Sequence, residues 1–154
     1  MSQESLYQII PNVTRKEGFL KVRSYNLVLT STRIIFARYT KEMRKADDKA
    51  LVESLKGKGF KARLVATMSG NERLYESYEN KSFDTILSET EGNFEIPITQ
   101  ILKVKRPIGV RYDDNHQEIP RKVIIVTNQT KHELKFYTAT ASDEAYKALK
   151  NLVK

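Results

Sequence analysis

The chain has 154 residues, 27 basic and 19 acidic side chains, a formal charge of +8, 40% hydrophobic residues and no cysteine. That length and apolar content suit one domain with its own core and exclude an extended disordered chain. The missing cysteine excludes disulfides, thiol nucleophiles and thiolate metal sites. No apolar run approaches the ~20 residues that span a bilayer. The polar start Met1-Ser2-Gln3-Glu4-Ser5 lacks the basic and apolar regions of a signal peptide. The expectation is a cytoplasmic protein, peripheral to a membrane if it meets one.

Leu6-Tyr7-Gln8-Ile9-Ile10 reads as a short strand or helical turn that stops at Pro11. Phe19-Leu20-Lys21-Val22-Arg23, Tyr25-Asn26-Leu27-Val28-Leu29 and Ile34-Ile35-Phe36-Ala37-Arg38-Tyr39 read as three strands. Their β-branched and aromatic content carries that reading, with Thr30-Ser31-Thr32-Arg33 as a polar turn before the third.

At Lys41 the period changes. Met43, Ala46, Ala50, Leu51 and Leu55 recur at helical spacing until Gly57-Lys58-Gly59 interrupts them. Phe60, Leu64, Val65 and Met68 predict a second short helix. Ser69-Gly70-Asn71-Glu72 has the S-x-x-E form of a capping box, and opens a third bearing Leu74, Tyr75 and Tyr78. Phe83, Ile86 and Leu87 add a further turn or two before Gly92. Charge divides this excursion: residues 41–63 carry eight basic and four acidic side chains, and residues 72–91 carry two and six. Its apolar residues need a surface to cover, either the domain's own sheet or a second molecule.

After Gly92 the period returns to two. Phe94–Ile98, Ile101–Lys105 and Val110-Arg111-Tyr112 predict strands, and Lys122–Thr127 with Glu133–Tyr137 predict a hairpin across Asn128-Gln129-Thr130-Lys131. A last helix is expected from a Ser142 cap, with Ala145, Leu149 and Leu152 as its apolar stripe.

Leu27-Val28-Leu29-Thr30-Ser31-Thr32-Arg33-Ile34-Ile35-Phe36 resembles the "leucine-x-leucine-threonine-x-x-arginine-leucine-isoleucine-phenylalanine" hairpin of the pleckstrin-homology-like superfamily, in its GRAM and bacterial PH-like branches. Ile96-Pro97-Ile98-Thr99-Gln100-Ile101-Leu102-Lys103-Val104 resembles a later strand pair of the same group. The resemblance implies a mainly β fold with α: a split antiparallel barrel of about seven strands, a C-terminal capping helix and a helical insert at 41–91 within one domain, 1–154.

Catalytic chemistry is not legible. Asp113-Asp114-Asn115-His116-Gln117-Glu118 gathers metal-capable groups without the spacing of a calcium loop. His132 alternates with Leu134 and Phe136 and so shares their face. Lys56-Gly57-Lys58-Gly59 lacks phosphate-loop spacing. No enzyme activity, metal or cofactor is expected. Anion binding is the stronger signal. Lys21 and Arg23 project at period two behind Lys16, and this trio resembles the basic pattern with which pleckstrin-homology-like domains hold inositol phosphates. A second basic group is Lys103, Lys105, Arg106 and Arg111, and Arg121-Lys122 is a third. The expected function is a non-catalytic binding module. Its partner is another protein, a second copy through the insert, or an anionic lipid or phosphorylated ligand. Nucleic acid is the alternative, since Tyr25, Tyr39, Tyr112 and Tyr137 could stack bases beside basic residues.

Overall fold

The computed structural model describes residues 3–54, 78, 81–107, 111–119 and 122–154. Among the described residues seven strands form one open antiparallel sheet in the order β4-β3-β2-β1-β7-β6-β5. They are β1 (Leu6–Gly18), β2 (Lys21–Thr30), β3 (Arg33–Arg38), β4 (Phe94–Pro97), β5 (Ile101–Lys105), β6 (Val123–Thr127) and β7 (Lys131–Lys135). Three α-helices are described: α1 (Lys41–Ser54), α2 (Phe83–Ser88) and α3 (Ala139–Val153). The expected strand-rich fold with a closing helix is therefore present.

Alternation along the strands separates two faces. The inner face gathers Val13, Tyr25, Leu27, Leu29, Ile34, Phe36, Val104, Val123, Ile125 and Leu134 into one core, closed by Ala145, Ala148 and Leu149 of α3. On the outer face Ile9, Val28, Ile35 and Ala37 form a smaller core with Tyr78 and Ile86, flanked by Phe83 and Leu87. The end of the helical excursion thus packs on its own sheet. The two expected helices between Phe60 and Tyr78 lie outside the described residues, apart from Tyr78 itself, which is helical.

Four local expectations are corrected. β1 does not stop at Pro11: the register slips between Ile10 and Val13, and Asn12 takes φ +56°. The bulge absorbs the residue that has no N–H, and the Asn12 N–H donates to Asn26 Oδ1 at 3.0 Å. Phe19-Leu20 does not begin a strand but forms the turn between β1 and β2, and β2 runs unbroken across Ser24. The cap of α3 is Thr138, not Ser142. Thr138 is extended and its hydroxyl accepts from the Ala141 N–H at 3.0 Å, whereas Ser142 lies buried inside the helix and donates to the Ala139 carbonyl. Tyr112 makes an isolated bridge to Glu118 rather than continuing a strand; Val110 lies outside the described residues.

Candidate functional site

The β1–β2 hairpin turns through two residues, since Gly18 pairs with Lys21. Tight hairpins favour Asn-Gly or another glycine pair, because the turn demands positive φ. Here the turn is Phe19-Leu20, with Leu20 at φ +67°, in the left-handed region that a bulky side chain enters at a cost. Both side chains stand in solvent, 91% and 90% exposed, and Val22 beside them is 58% exposed. Neither backbone preference nor burial accounts for two large apolar residues at this tip.

At the foot of the hairpin the outer face carries a pocket of about 240 Å³. It is lined by Phe19, Leu20 and Val22 together with Lys16, Lys21, Lys122, Lys135 and Glu133. Three strands build it. Thr14 pairs with Lys135 and Lys16 with Val22, so β1 brings the end of β7 against the hairpin. Lys122 stands just before β6, and its Nζ lies 3.9 Å from Glu133 Oε2. The lysines continue outward across the sheet. Lys131 pairs with Val126, which also faces Lys103, and Lys105 pairs with Ile124. Lys103 and Lys105 flank the inward Val104 and so belong to the outer face.

The expected basic residues are therefore divided, by pairing as well as by face: Lys21 stands two residues from Arg23 on β2, but the register slips between Lys16 and Gly18, where Lys21 pairs beside the turn. Lys16 and Lys21 meet in the pocket. Arg23 does not join them, because it pairs with Arg15 on the inner side and its Nη1 lies 3.5 Å from where a Cβ on Gly92 would stand. Lys103 and Lys105 share the outer face but lie on the sheet's far edge, on β5. Arg106 ion-pairs with Asp143 and stacks 4.5 Å over the Tyr146 ring, which commits it to tying β5 to α3. Arg111 is exposed beside the Tyr112–Glu118 bridge, and Arg121 lies outside the described residues. Nothing in the sequence alone singles out Lys135. Its alternation with inward Leu134 marks it as outward, but only the β1–β7 pairing places it against Lys16.

On the inner side a second polar cluster closes the sheet's end. Arg15 donates from Nε to His132 Nδ1 at 3.1 Å, ion-pairs with Glu17 at 2.6 Å and lies 4.9 Å over Phe94. The Tyr25 hydroxyl donates to Glu17 at 2.6 Å. Burial and the Arg15 charge hold the His132 imidazole down at about 4. Burial, reinforced by the bond to Glu17, pushes the Tyr25 hydroxyl up to about 12. Burial alone would raise Glu17, but the Tyr25 hydroxyl and Arg15 outweigh it and keep the carboxyl below the usual range. His132 is thus a neutral acceptor for an arginine within an aromatic cluster of Phe36 and Phe94. The Asp113 carboxylate is likewise engaged, accepting from the Asn115 and Gln117 N–H groups at 2.9 Å each. Among the described residues no three His, Cys, Asp or Glu side chains converge as metal ligands, and no helix is long and apolar enough to cross a membrane.

No protein-family model and no curated protein matches the chain. Among solved structures it is similar to the C-terminal domain of an unknown protein from Leishmania infantum. The two share 12% identity over 97% of this chain and 84% of that one, with a TM-score of 0.51. At that identity the likeness concerns the fold alone.

Proposed function

We propose that this domain is a non-catalytic, cytoplasmic module that docks on anionic membrane surfaces through the outer face at the β1–β2 hairpin. One observation carries the reading: an exposed Phe19-Leu20 tip rises directly beside a pocket lined by Lys16, Lys21, Lys122 and Lys135. A lysine near an anionic leaflet contributes about 1 kcal/mol. Burying an apolar side chain such as Phe or Leu contributes ~1.5–3 kcal/mol. Neither term alone anchors a protein stably, whereas charge and insertion acting together do. Lys103, Lys105 and Lys131 extend the basic field along the same face.

We further infer that the fold is a pleckstrin-homology-like split barrel. Seven antiparallel strands followed by one helix support it, as does the position of the two resembling motifs on β2–β3 and on β4–β5. The apolar residues of α2 and Tyr78 are already engaged with the sheet, which favours the hairpin over that part of the excursion as the contact surface. Of the tyrosines considered for base stacking, Tyr25 is in the core, while Tyr112 and Tyr137 are exposed and keep the nucleic-acid reading as the alternative for the test.

The test is co-sedimentation with phosphatidylglycerol-containing vesicles at low and high salt, beside retention on a single-stranded oligonucleotide. Binding to vesicles that weakens with salt and with Lys16→Ala plus Lys135→Ala is expected. Oligonucleotide retention without vesicle binding, or no binding to either, overturns the proposal.

A further inference from the structure

The pocket is not uniformly basic. Glu133 stands among its four lysines on the outward side of β7, opposite Ile124. Its Oε2 is shielded from solvent and accepts no hydrogen bond from the described residues. Lys122 Nζ, at 3.9 Å, forms an ion pair with it without reaching hydrogen-bond distance, and the Glu133 side chain as a whole is 36% exposed. A site for a simple anion has no use for a carboxylate in its lining, since that charge opposes the ligand. Lysines and carboxylate together present both signs within one small volume: several N–H donors for an oxyanion, and one acceptor for a cation that carries N–H groups.

We propose that this pocket takes the phosphoethanolamine headgroup of a membrane lipid, with the phosphodiester among Lys16, Lys21 and Lys135 and the primary ammonium on Glu133. The inference rests on the membrane-surface reading above and specifies its ligand. The apolar wall of Phe19, Leu20 and Val22 commits the site to a lipid rather than a free metabolite, because it lies where the acyl region of a bilayer would meet the hairpin. A headgroup with an additional carboxylate would bring a second negative charge toward Glu133. A phosphocholine headgroup has the same net charge as phosphoethanolamine, but its quaternary nitrogen has no hydrogen to donate.

That last difference supplies the experiment. Vesicles containing a fixed share of phosphatidylglycerol are made up with either phosphatidylethanolamine or phosphatidylcholine, and the full chain is titrated against each. Wild type should bind the ethanolamine vesicles about tenfold more tightly, the equivalent of one charge-assisted hydrogen bond. Glu133→Gln should reduce that preference below about twofold and, by removing a negative charge from the lysine cluster, strengthen binding to the choline vesicles. Soluble glycerophosphoethanolamine should compete better than glycerophosphocholine with wild type, a measurement that needs no variant. Equal wild-type binding to the two vesicle types, or a preference that survives in Glu133→Gln with an unchanged circular dichroism spectrum, overturns the headgroup assignment while leaving membrane docking in place. Failure to bind either vesicle overturns both.

Discussion

Arg15 and His132 are 117 positions apart in the chain, yet Nε of one donates to Nδ1 of the other at 3.1 Å. The contact bridges β1 and β7, whose pairing brings Arg15 opposite Leu134. It joins the first strand to the last through a side-chain bond in which the imidazole Nδ1 is the acceptor, a role that protonation of the ring removes.

A pH dependence of stability follows. His132 titrates near 6.5 when free and at about 4 in the folded chain. Between those values the unfolded chain takes up a proton that the folded state refuses, so the contribution is complete above pH 6.5 and is lost as pH falls toward 4. His132→Gln retains an acceptor for Arg15 without titrating. Thermal unfolding at pH 7 and pH 5 should show a smaller drop in Tm for the variant than for wild type; parallel drops would contradict the assignment. Glu4 and Glu17, held below the carboxylate range, add their own losses at lower pH.

Arg33 is the hub of a network that ties separate segments together. Its guanidinium reaches Glu4 before β1, Asp84 in α2 and Glu95 in β4, at 2.9, 2.9 and 2.6 Å. The side chain is only 16% exposed, so Arg33→Met leaves carboxylates facing one another with no cation between them. A loss of about 2–4 kcal/mol in chemical denaturation is expected. Arg33→Lys should recover only part of it, because an ammonium cannot fork toward three carboxylates. Asp84→Asn should cost less than about 0.5 kcal/mol, since Asp84 is 87% exposed.

Ile86 fixes α2 to the outer face. It is fully buried against Val28, Ile35 and their neighbours. Ile86→Ala should destabilise by about 2–4 kcal/mol and raise hydrogen exchange over residues 83–88 more than over β6. An exchange pattern unchanged at α2 would show that other contacts hold the helix.

The hairpin tip separates function from stability. Phe19→Ser with Leu20→Ser removes two side chains that are about 90% exposed while keeping a Cβ at each position, so Tm should hold steady. Vesicle retention should fall at least about tenfold, as expected for losing apolar insertion of both residues. A marked fall in Tm would identify the pair as structural instead.

Much of the architecture was legible because alternation and helical periodicity are local properties. Leu27–Leu29 with Ile34–Phe36, the hairpin of Val123–Thr127 and Lys131–Lys135, and the closing helix are each specified by residues close together in the chain. The local errors also had local causes: a proline carried by a bulge, and an apolar pair standing in for the usual turn residues. What one strand's sequence could not decide was which basic residues share a surface. Side chains alternate with a period of two, so a single bulge reverses the face of everything beyond it. The slip at Asn12 puts Ile9 outward and Val13 inward, and with them turns Lys16 to the outer face and Arg15 to the inner. Arg23 then follows Arg15, away from the residues with which its spacing had grouped it. The partners Lys16 does acquire, Lys135 and Lys122, come from the other end of the chain. They meet it only because β1 and β7 pair, and that pairing is set by the common core beneath them rather than by any motif in either strand.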